Sequence, residues 1–179
     1  KRCPDRGFDC DKMAKEKIKH FVSKDALNID GLGKKVVENF WSLNLIRLPQ
    51  DLFKLDFNKI ENLEGWGKQS ALNLKYSINK SKEISLEKLI YSLGIRHIGQ
   101  ENAKLISQNI QTLDNLCKIS NKYNFNTFLN IDGIGETQIN SLKKFFSNNI
   151  NLEIIKELKK FIIIKKSNMK ITGKLKNKT

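Results

Sequence analysis

The stretch Leu63-Glu64-Gly65-Trp66-Gly67-Lys68-Gln69-Ser70-Ala71 joins a Gly-x-Gly turn to an apolar run with helical spacing. Related turns lie at residues 31–33, 97–99 and 133–135, and the last residues of the four turns are 34, 32 and 36 positions apart. Repetition at such a period indicates that related structural units follow one another along the chain. The segments between the turns carry apolar residues at helical spacing, so we predict an all-α fold.

Each repeat predicts a helix, a tight hairpin and a second helix. Glycine adopts the positive φ that a short hairpin needs, and the apolar residue between the glycines turns inward. The amides left uncovered lie at the N-terminus of the second helix, where the helix dipole favours an anion such as a backbone phosphate. This is the pattern of a helix-hairpin-helix motif, so we predict tandem repeats of it in one compact domain that binds DNA. The predicted DNA-binding residues are Gly31, Gly33, Lys34, Lys35, Gly65, Gly67, Lys68, Arg96, His97, Gly99, Gly133 and Gly135.

The third and fourth repeats depart from the pattern. His97 stands where the third repeat should have its first glycine, so its hairpin is less firmly predicted, although Arg96 and His97 can add phosphate contacts. An exposed turn histidine is the alternative for His97. Glu136 takes the place of Lys34 and Lys68, and an acid there repels phosphate. We expect the fourth hairpin to bind through its main chain alone or to pack internally.

Charge and composition favour a polyanion as partner. Lys and Arg number 33 against 19 Asp and Glu among 179 residues, which gives a net charge of +14. Such a balance predicts attraction to nucleic acid, with acidic membrane surfaces second. We see no signal peptide and no apolar run of about 18 residues, and we expect a soluble, cytoplasmic protein. The chain lacks an initiator Met, so we interpret it as a fragment of a longer protein.

Two other functions also fit a helical repeat. A period near 34 is compatible with a solenoid that binds proteins, although the tetratricopeptide pattern of aromatic and glycine residues is missing. A non-enzymatic helix-hairpin-helix module of another repair protein, such as an excision-repair nuclease subunit or a junction-binding scaffold, would show the same hairpins. Salt-dependent DNA affinity separates the solenoid from the two DNA-binding hypotheses.

The cysteines argue against a disulfide framework because Cys3, Cys10 and Cys117 are odd in number. Cys117 lies in an apolar setting and is predicted to be a small core residue. Cys3 and Cys10 flank a turn-rich segment and supply half of the four ligands that a structural zinc site needs. His20 is a third candidate ligand, but its helical spacing with Ile18 and Val22 favours a position on a helix face.

We predict three segments. Residues 1–23 form a small cysteine-containing segment and a connecting helix, residues 24–161 form the domain with four hairpins, and residues 162–179 form a short β-like tail. Within the second segment we expect a short helix at residues 25–29 before the first hairpin. The β-rich run at residues 161–164 has no partner strand after it in the sequence, so we interpret the tail as the start of a further domain.

Several of these stretches together resemble bacterial NAD-dependent DNA ligases over nearly the whole chain. The first is Ile18-Lys19-His20-Phe21-Val22-Ser23-Lys24, followed by Ala26-Leu27-Asn28-Ile29-Asp30-Gly31-Leu32-Gly33. The others are residues 63–74, Leu93-Gly94-Ile95-Arg96-His97-Ile98-Gly99 and Asp132-Gly133-Ile134-Gly135. The resemblance implies the end of a zinc finger in residues 1–23, the helix-hairpin-helix domain in residues 24–161, and a linker with the first strand of a BRCT domain in residues 162–179. The run that resembles this strand is Met169-Lys170-Ile171-Thr172-Gly173-Lys174-Leu175.

The resemblance also implies a parent enzyme that seals nicks during DNA replication and repair. Such a ligase adenylates a lysine from NAD, passes AMP to the 5′-phosphate and lets the 3′-hydroxyl displace it. NAD and magnesium would bind outside this fragment, and Cys3 and Cys10 would be the last two of four zinc cysteines. Their separation is longer than the family usually shows. We expect the hairpins to grip nicked duplex DNA from its minor-groove side, as a monomer associated with the bacterial nucleoid.

Two stretches of this chain match the adenylation motif of that family, Lys-x-Asp-Gly, at every position except the lysine. The sequence has Asn28-Ile29-Asp30-Gly31 and Asn130-Ile131-Asp132-Gly133, both at predicted hairpins. Asparagine has no amine that can attack a phosphate, so neither site can form the adenylate. We therefore predict no catalytic residue in this fragment and no ligation by it alone.

Overall fold

A computed structural model describes residues 7–121 and 124–165, apart from the side chains of residues 120 and 121. The described residues are mostly helical, as the sequence predicts. Three short 3-10 helices, Gly7–Asp9, Pro49–Lys54 and Phe125–Asn130, lie between or before the α-helices. The α-helices are α1 (Asp11–Val22), α2 (Lys34–Ser42), α3 (Phe57–Ile60), α4 (Lys68–Ser81), α5 (Leu86–Ser92), α6 (Gln100–Ile110), α7 (Leu113–Asn121), α8 (Glu136–Phe146) and α9 (Asn149–Leu158).

Four pairs of helical elements surround the four predicted hairpins. The pairs α1 and α2, α3 and α4, and α5 and α6 pack together, and the 3-10 helix Phe125–Asn130 packs with α8. Each α-helix that follows a hairpin carries an apolar stripe, and in α8 the stripe is Ile139, Leu142, Phe145 and Phe146. Burying such stripes against one another is the main source of helix stability in a protein of this kind.

One hydrophobic core runs through the described residues. It includes Ile18 and Phe21 of α1, so the helix that follows the cysteine-containing segment packs against the hairpin repeats. Phe125 and Phe146 of the last repeat are fully buried in this core and stack with ring centroids 5.3 Å apart. Within the described ranges no helix is long and apolar enough to cross a membrane.

The β-rich run after α9 has a partner strand that the sequence analysis did not predict. Strand β2 (Ile163–Ile164) pairs in parallel with β1 (Glu83–Ile84), which directly follows α4. The N–H of Ile163 donates to the carbonyl of Lys82 at 2.7 Å, and the N–H of Lys165 donates to Ile84 at 2.9 Å. The partner therefore precedes the run by about 80 residues. The later run that resembles a BRCT strand lies outside the described residues.

The expected helix at residues 25–29 is absent, and the chain forms an isolated turn there. The amides of Ala26 and Asn28 both donate to the carbonyl of Ser23, at 3.0 and 2.9 Å. Asn28 then adopts a φ of 51°, and a residue with positive φ ends a right-handed helix. The prediction failed because asparagine tolerates the left-handed region, which the apolar spacing of the segment does not reveal.

Candidate nucleic-acid interface

The four hairpins share one backbone conformation. In each hairpin the N–H of the apolar turn residue donates to the carbonyl three positions earlier, which closes a β-turn. The residue that follows is the N-cap of the next helix, in extended conformation. The turn bonds are Leu32 to Ile29 at 3.3 Å, Trp66 to Leu63 at 3.0 Å, Ile98 to Ile95 at 3.1 Å and Ile134 to Ile131 at 3.0 Å.

The third hairpin is regular although it has no glycine at its corner. Gly31, Gly65 and Gly133 have φ values of 89°, 77° and 91°, and His97 occupies the same turn position with a φ of 61°. The side chain of Asn102 donates to the carbonyl of His97 at 3.2 Å and helps to hold this conformation. A turn of this type requires a positive φ at its third residue. Histidine is among the side chains that tolerate this region.

The apolar turn residues anchor the hairpins to the core, as the sequence predicts. Leu32, Ile98 and Ile134 are buried, and Trp66 is half-buried against the core.

Four residues after each N-cap glycine the chain carries a buried aliphatic residue whose N–H donates to the carbonyl of that glycine. These residues are Val37, Ala71, Ala103 and Ile139, with distances of 3.0, 3.0, 2.9 and 3.1 Å.

The amides of the N-cap glycines divide the hairpins into two kinds. The N–H of Gly67 donates to Oγ of Ser70 at 2.9 Å, and the N–H of Gly135 donates to Oε1 of Gln138 at 3.1 Å. Within the described part of the chain, the corresponding amides of Gly33 and Gly99 donate no hydrogen bond. The second and fourth hairpins thus cap themselves. The first and third keep an amide ready for an external acceptor.

The sequence analysis missed this self-capping. A polar residue three positions after an N-cap is the signal of a capping box, and both Ser70 and Gln138 stand at that position. The signal is visible in the sequence, but the same positions in the first and third repeats hold Val36 and Asn102, which make no such bond to the N-cap amide. Comparison of the four repeats at this position would have set the first apart through Val36, but not the third, where Asn102 is also polar and donates to the His97 carbonyl instead.

The predicted cationic residues lie in the hairpin regions and are exposed. Lys34 and Lys35 occupy the first turn of α2, and Lys68 occupies the first residue of α4. Arg96 and His97 form the corner of the third hairpin. Lysine in the first turn opposes the helix dipole, so these positions favour a bound anion. Glu136, at the start of α8, is also exposed and makes the fourth hairpin less suitable for phosphate.

Packing between repeats brings the hairpins into two pairs. A β-carbon added at Gly31 would lie 3.5 Å from Cδ1 of Leu74, so the first hairpin touches α4 of the second repeat. Likewise a β-carbon at Gly133 would lie 3.1 Å from Cδ1 of Leu105, so the fourth hairpin touches α6 of the third repeat. Each pair therefore combines one hairpin with an open N-cap amide and one that caps itself.

The substitution Gly133→Ala is expected to destabilise the fold by about 1–3 kcal/mol, because an alanine would be strained at a φ of 91° and would press on Leu105. The matched control is Gly135→Ala in the same hairpin. Gly135 has a φ of −109°, and its nearest neighbour is the flexible side chain of Gln138, so the loss there should be limited to the weaker helix N-cap that alanine makes, about 0.5 kcal/mol. Urea unfolding measures the loss of stability in both variants. Equal losses would contradict the need for a positive φ at Gly133.

The predicted metal ligands are only partly described. Cys3 lies outside the described residues, and Cys10 is the half-buried N-cap of α1. Within the described ranges no three Cys, His, Asp or Glu side chains lie close enough to hold a metal ion. Nε2 of His20 is 2.8 Å from the carbonyl of Tyr91, and its ring meets the Tyr91 ring edge-on, so His20 links α1 to α5 as a helix-face residue. Zinc binding by Cys3 and Cys10 stays a prediction.

Cys117, predicted to be a small core residue, lies half-buried on α7 and packs against the core from its edge. Burial raises the pKa of its thiol above the ordinary value. A thiol with a raised pKa carries little thiolate at neutral pH and is a poor nucleophile. Cys117 therefore fits a packing role.

Comparison with known families agrees with the architecture. The family described as helix-hairpin-helix motif matches residues 88–155, which include the third and fourth hairpins. The chain therefore contains a helix-hairpin-helix region, as the repeats and the hairpin geometry indicate.

The chain is also homologous over its whole length to a segment of proteins named DNA ligase. It is 60% identical to the DNA ligase of Pelagibacter ubique, with all of this chain covered. It is 39% identical to the DNA ligase of Rickettsia bellii over 97% of this chain, and 40% identical to that of Rickettsia massiliae over 88%. The aligned part makes up 27%, 28% and 24% of those proteins, so the chain spans about a quarter of the length of its relatives. The resemblance to DNA ligases is confirmed.

Proposed function

We propose that this chain is the part of an NAD-dependent DNA ligase that holds duplex DNA through its phosphates, without reading sequence. The observation that carries the proposal is the shared geometry of four hairpins, each with a positive-φ corner and a helix N-terminus behind it. A phosphate accepts hydrogen bonds from such amides regardless of the neighbouring base, because the backbone is the same at every step. Homology to DNA ligases supports a DNA substrate.

The first and third hairpins are proposed to make the main contacts. Their N-cap amides, at Gly33 and Gly99, have no acceptor among the described residues, and cationic side chains stand beside both. At the second hairpin a phosphate would replace the Ser70 hydroxyl, with Lys68 adjacent. At the fourth it would replace the Gln138 amide near the carboxylate of Glu136, which weakens the attraction. Gly31, Gly65 and Gly133 serve as the corners that orient these amides.

The activity of the whole protein is part of the same proposal. The parent would seal nicks in replication and repair, in the bacterial cytoplasm near the nucleoid, and would act as a monomer. NAD and magnesium would bind to other parts of the parent. Cys3 and Cys10 would contribute two thiolates to a zinc site, and of the two Cys10 lies among the described residues.

The experiment is a titration of duplex DNA with the chain at several salt concentrations. We expect similar affinity for unrelated sequences, and a slope of log K against log salt of about −0.9 for each phosphate neutralised. A flat salt response would favour a protein-interaction solenoid, and a strong preference for one sequence would contradict phosphate recognition. Incubation with NAD should leave no covalent AMP on this chain, because Asn28 and Asn130 stand where an adenylation lysine would be needed.

A further inference from the structure

The outer side of α4 carries two apolar side chains that the core does not use. Leu72 is 49% exposed, and Tyr76 is 72% exposed, more than any other large apolar residue among those described. Ala71 and Leu74 of the same helix face the core. With 3.6 residues per turn, Leu72 and Tyr76 lie on the opposite side of α4, one turn apart. This pair contributes little to the core and is open to a ligand.

Two cations border the apolar pair. Lys68 precedes Leu72 by four residues and Lys75 follows it by three, so both lie beside it on the helix surface. Helix α4 contains no Asp or Glu, and neither lysine pairs with a carboxylate within the described ranges. Nζ of Lys75 lies 5.9 Å from the centre of the Phe57 ring, which holds this ammonium group against the protein surface. We call Lys68, Leu72, Lys75 and Tyr76 the α4 surface.

The chemistry of the α4 surface favours unpaired nucleic acid. Surfaces that bind single strands combine cations, which follow the phosphates, with exposed aromatic rings, on which bases stack. In a duplex each base is covered by its neighbours in the stack, and a base must leave the stack before a protein can reach its faces. The ring of Tyr76 can therefore stack only on an unpaired base.

A protein partner fits the α4 surface less well. A stable protein interface buries about 800 Å² on each partner, and two apolar side chains supply only a small part of that area. The exposed neighbours Gln69, Asn73 and Asn79 are polar. A second copy of this chain packed on the same surface would bring the lysines of both copies together, and like charges in an interface repel.

The α4 surface begins at the second hairpin. Lys68 is the first residue of α4 and directly follows the N-cap Gly67. Tyr76 lies eight residues further along, which is about 12 Å along the helix axis. A strand that leaves a duplex at the second hairpin reaches Tyr76 by following α4.

We propose that the α4 surface binds unpaired DNA, with one base stacked on the ring of Tyr76 and Leu72 packed against the neighbouring sugar. Lys68 and Lys75 contact the phosphates of the same strand. The chain then binds DNA with a single-stranded end more tightly than fully paired DNA, without reading sequence. The duplex beside the strand rests on the proposed function, whereas the stacking on Tyr76 does not depend on it.

The test compares a blunt duplex with the same duplex carrying a short oligothymidine extension, by fluorescence anisotropy. The extension should raise the affinity about fivefold, near the lower end of what one base stacked on an aromatic ring contributes. Tyr76→Phe should keep this preference because the ring remains, and Tyr76→Ser should remove it. An extension of the same length made of abasic units keeps the phosphates but has no bases, so most of the gain should be lost.

The two exposed leucines provide a matched pair of variants. Leu72→Gln changes the α4 surface, whereas Leu43→Gln changes a leucine that is 45% exposed at the C-cap of α2. Leu72→Gln should reduce the preference for the extension, and Leu43→Gln should leave it unchanged. All these side chains are exposed, so the variants should fold as the unchanged chain does.

Equal binding of the blunt and extended duplexes, an abasic extension as good as oligothymidine, or equal effects of the two leucine variants would overturn the proposal. Self-association that Tyr76→Ser removes, in place of a preference for the extension, would assign the α4 surface to a second copy. If both duplexes bind equally and with strong salt dependence, this proposal fails and the proposed function stands. If neither duplex binds but free oligothymidine does, the proposed function fails and the assignment of the α4 surface stands.

Discussion

Replacing Lys34 and Lys35 together by glutamine is expected to weaken binding to unrelated duplexes by about tenfold to a hundredfold at low salt. Both side chains are exposed in the first turn of α2, beside the Gly33 amide that donates no bond within the described residues. If each contacts one phosphate, the magnitude of the salt slope should fall by about 1.8, because each contact contributes about 0.9. Fluorescence anisotropy over a range of salt measures both quantities.

The same double substitution should have the opposite effect on folding. Lysine in the first turn of a helix is slightly unfavourable because its charge has the same sign as the dipole end. Neither lysine pairs with a carboxylate among the described residues, so its removal breaks no ion pair there. The variant should therefore be as stable as the unchanged chain, or more stable by a few tenths of a kcal/mol. Weaker DNA binding cannot then be attributed to misfolding.

A matched control changes the net charge equally. Lys80 lies in the last turn of α4 and Lys156 in the last turn of α9, and both are exposed. Replacing this pair by glutamine also lowers the net charge by two but leaves the hairpins intact. Binding should fall only slightly, through the weaker overall field. Equal losses for the two double variants would mean that DNA is held by general charge, and the assignment of the first hairpin would be wrong.

The repeat predicted the hairpins well because glycine spacing and buried apolar residues are local properties. Gly31, Gly65 and Gly133 mark the corners of the first, second and fourth hairpins directly. The corner of the third hairpin was found through the position of His97 relative to Gly99. The short helix expected at residues 25–29 was wrong because Asn28 takes a positive φ that the apolar pattern does not encode. Local patterns thus predicted the positions of the hairpin corners. The segment before the first hairpin was predicted wrongly because of the positive φ of Asn28.

Features that depend on contacts between residues far apart in the sequence were not predicted. Strand β2 pairs with β1 about 80 residues earlier, and two-residue strands leave no alternation to detect. The hydrogen bond from Nζ of Lys17 on α1 to the Gly94 carbonyl before the third hairpin joins residues 77 positions apart. For the candidate interface, the sequence predicted which residues lie at the hairpins. It set the fourth hairpin apart through Glu136, but it did not predict which N-cap amides the fold itself satisfies.

The second large effect is expected from Phe40→Ala, which should lower the free energy of unfolding by roughly 3–5 kcal/mol. Phe40 lies on α2 behind the first hairpin, is fully buried, and its ring centre is 5.4 Å from that of Trp66 in the second hairpin. Truncation removes apolar contacts and leaves a cavity between two repeats, which the backbone can fill only in part. The half-buried Trp66 would lose its aromatic neighbour, so its fluorescence should shift to longer wavelength.

Urea unfolding followed by circular dichroism measures the loss for Phe40→Ala. Tyr76→Ala is the matched control, because Tyr76 is also a helical aromatic residue but is 72% exposed, and its loss should stay within about 0.5 kcal/mol. Where the protein remains folded, Phe40→Ala should weaken DNA binding as well, since the first and second hairpins lose a shared support. A stability loss no larger than that of the control would show that α2 and the second hairpin are held together by other contacts. Unchanged DNA affinity alongside a large stability loss would show that each hairpin binds phosphate independently of its neighbour.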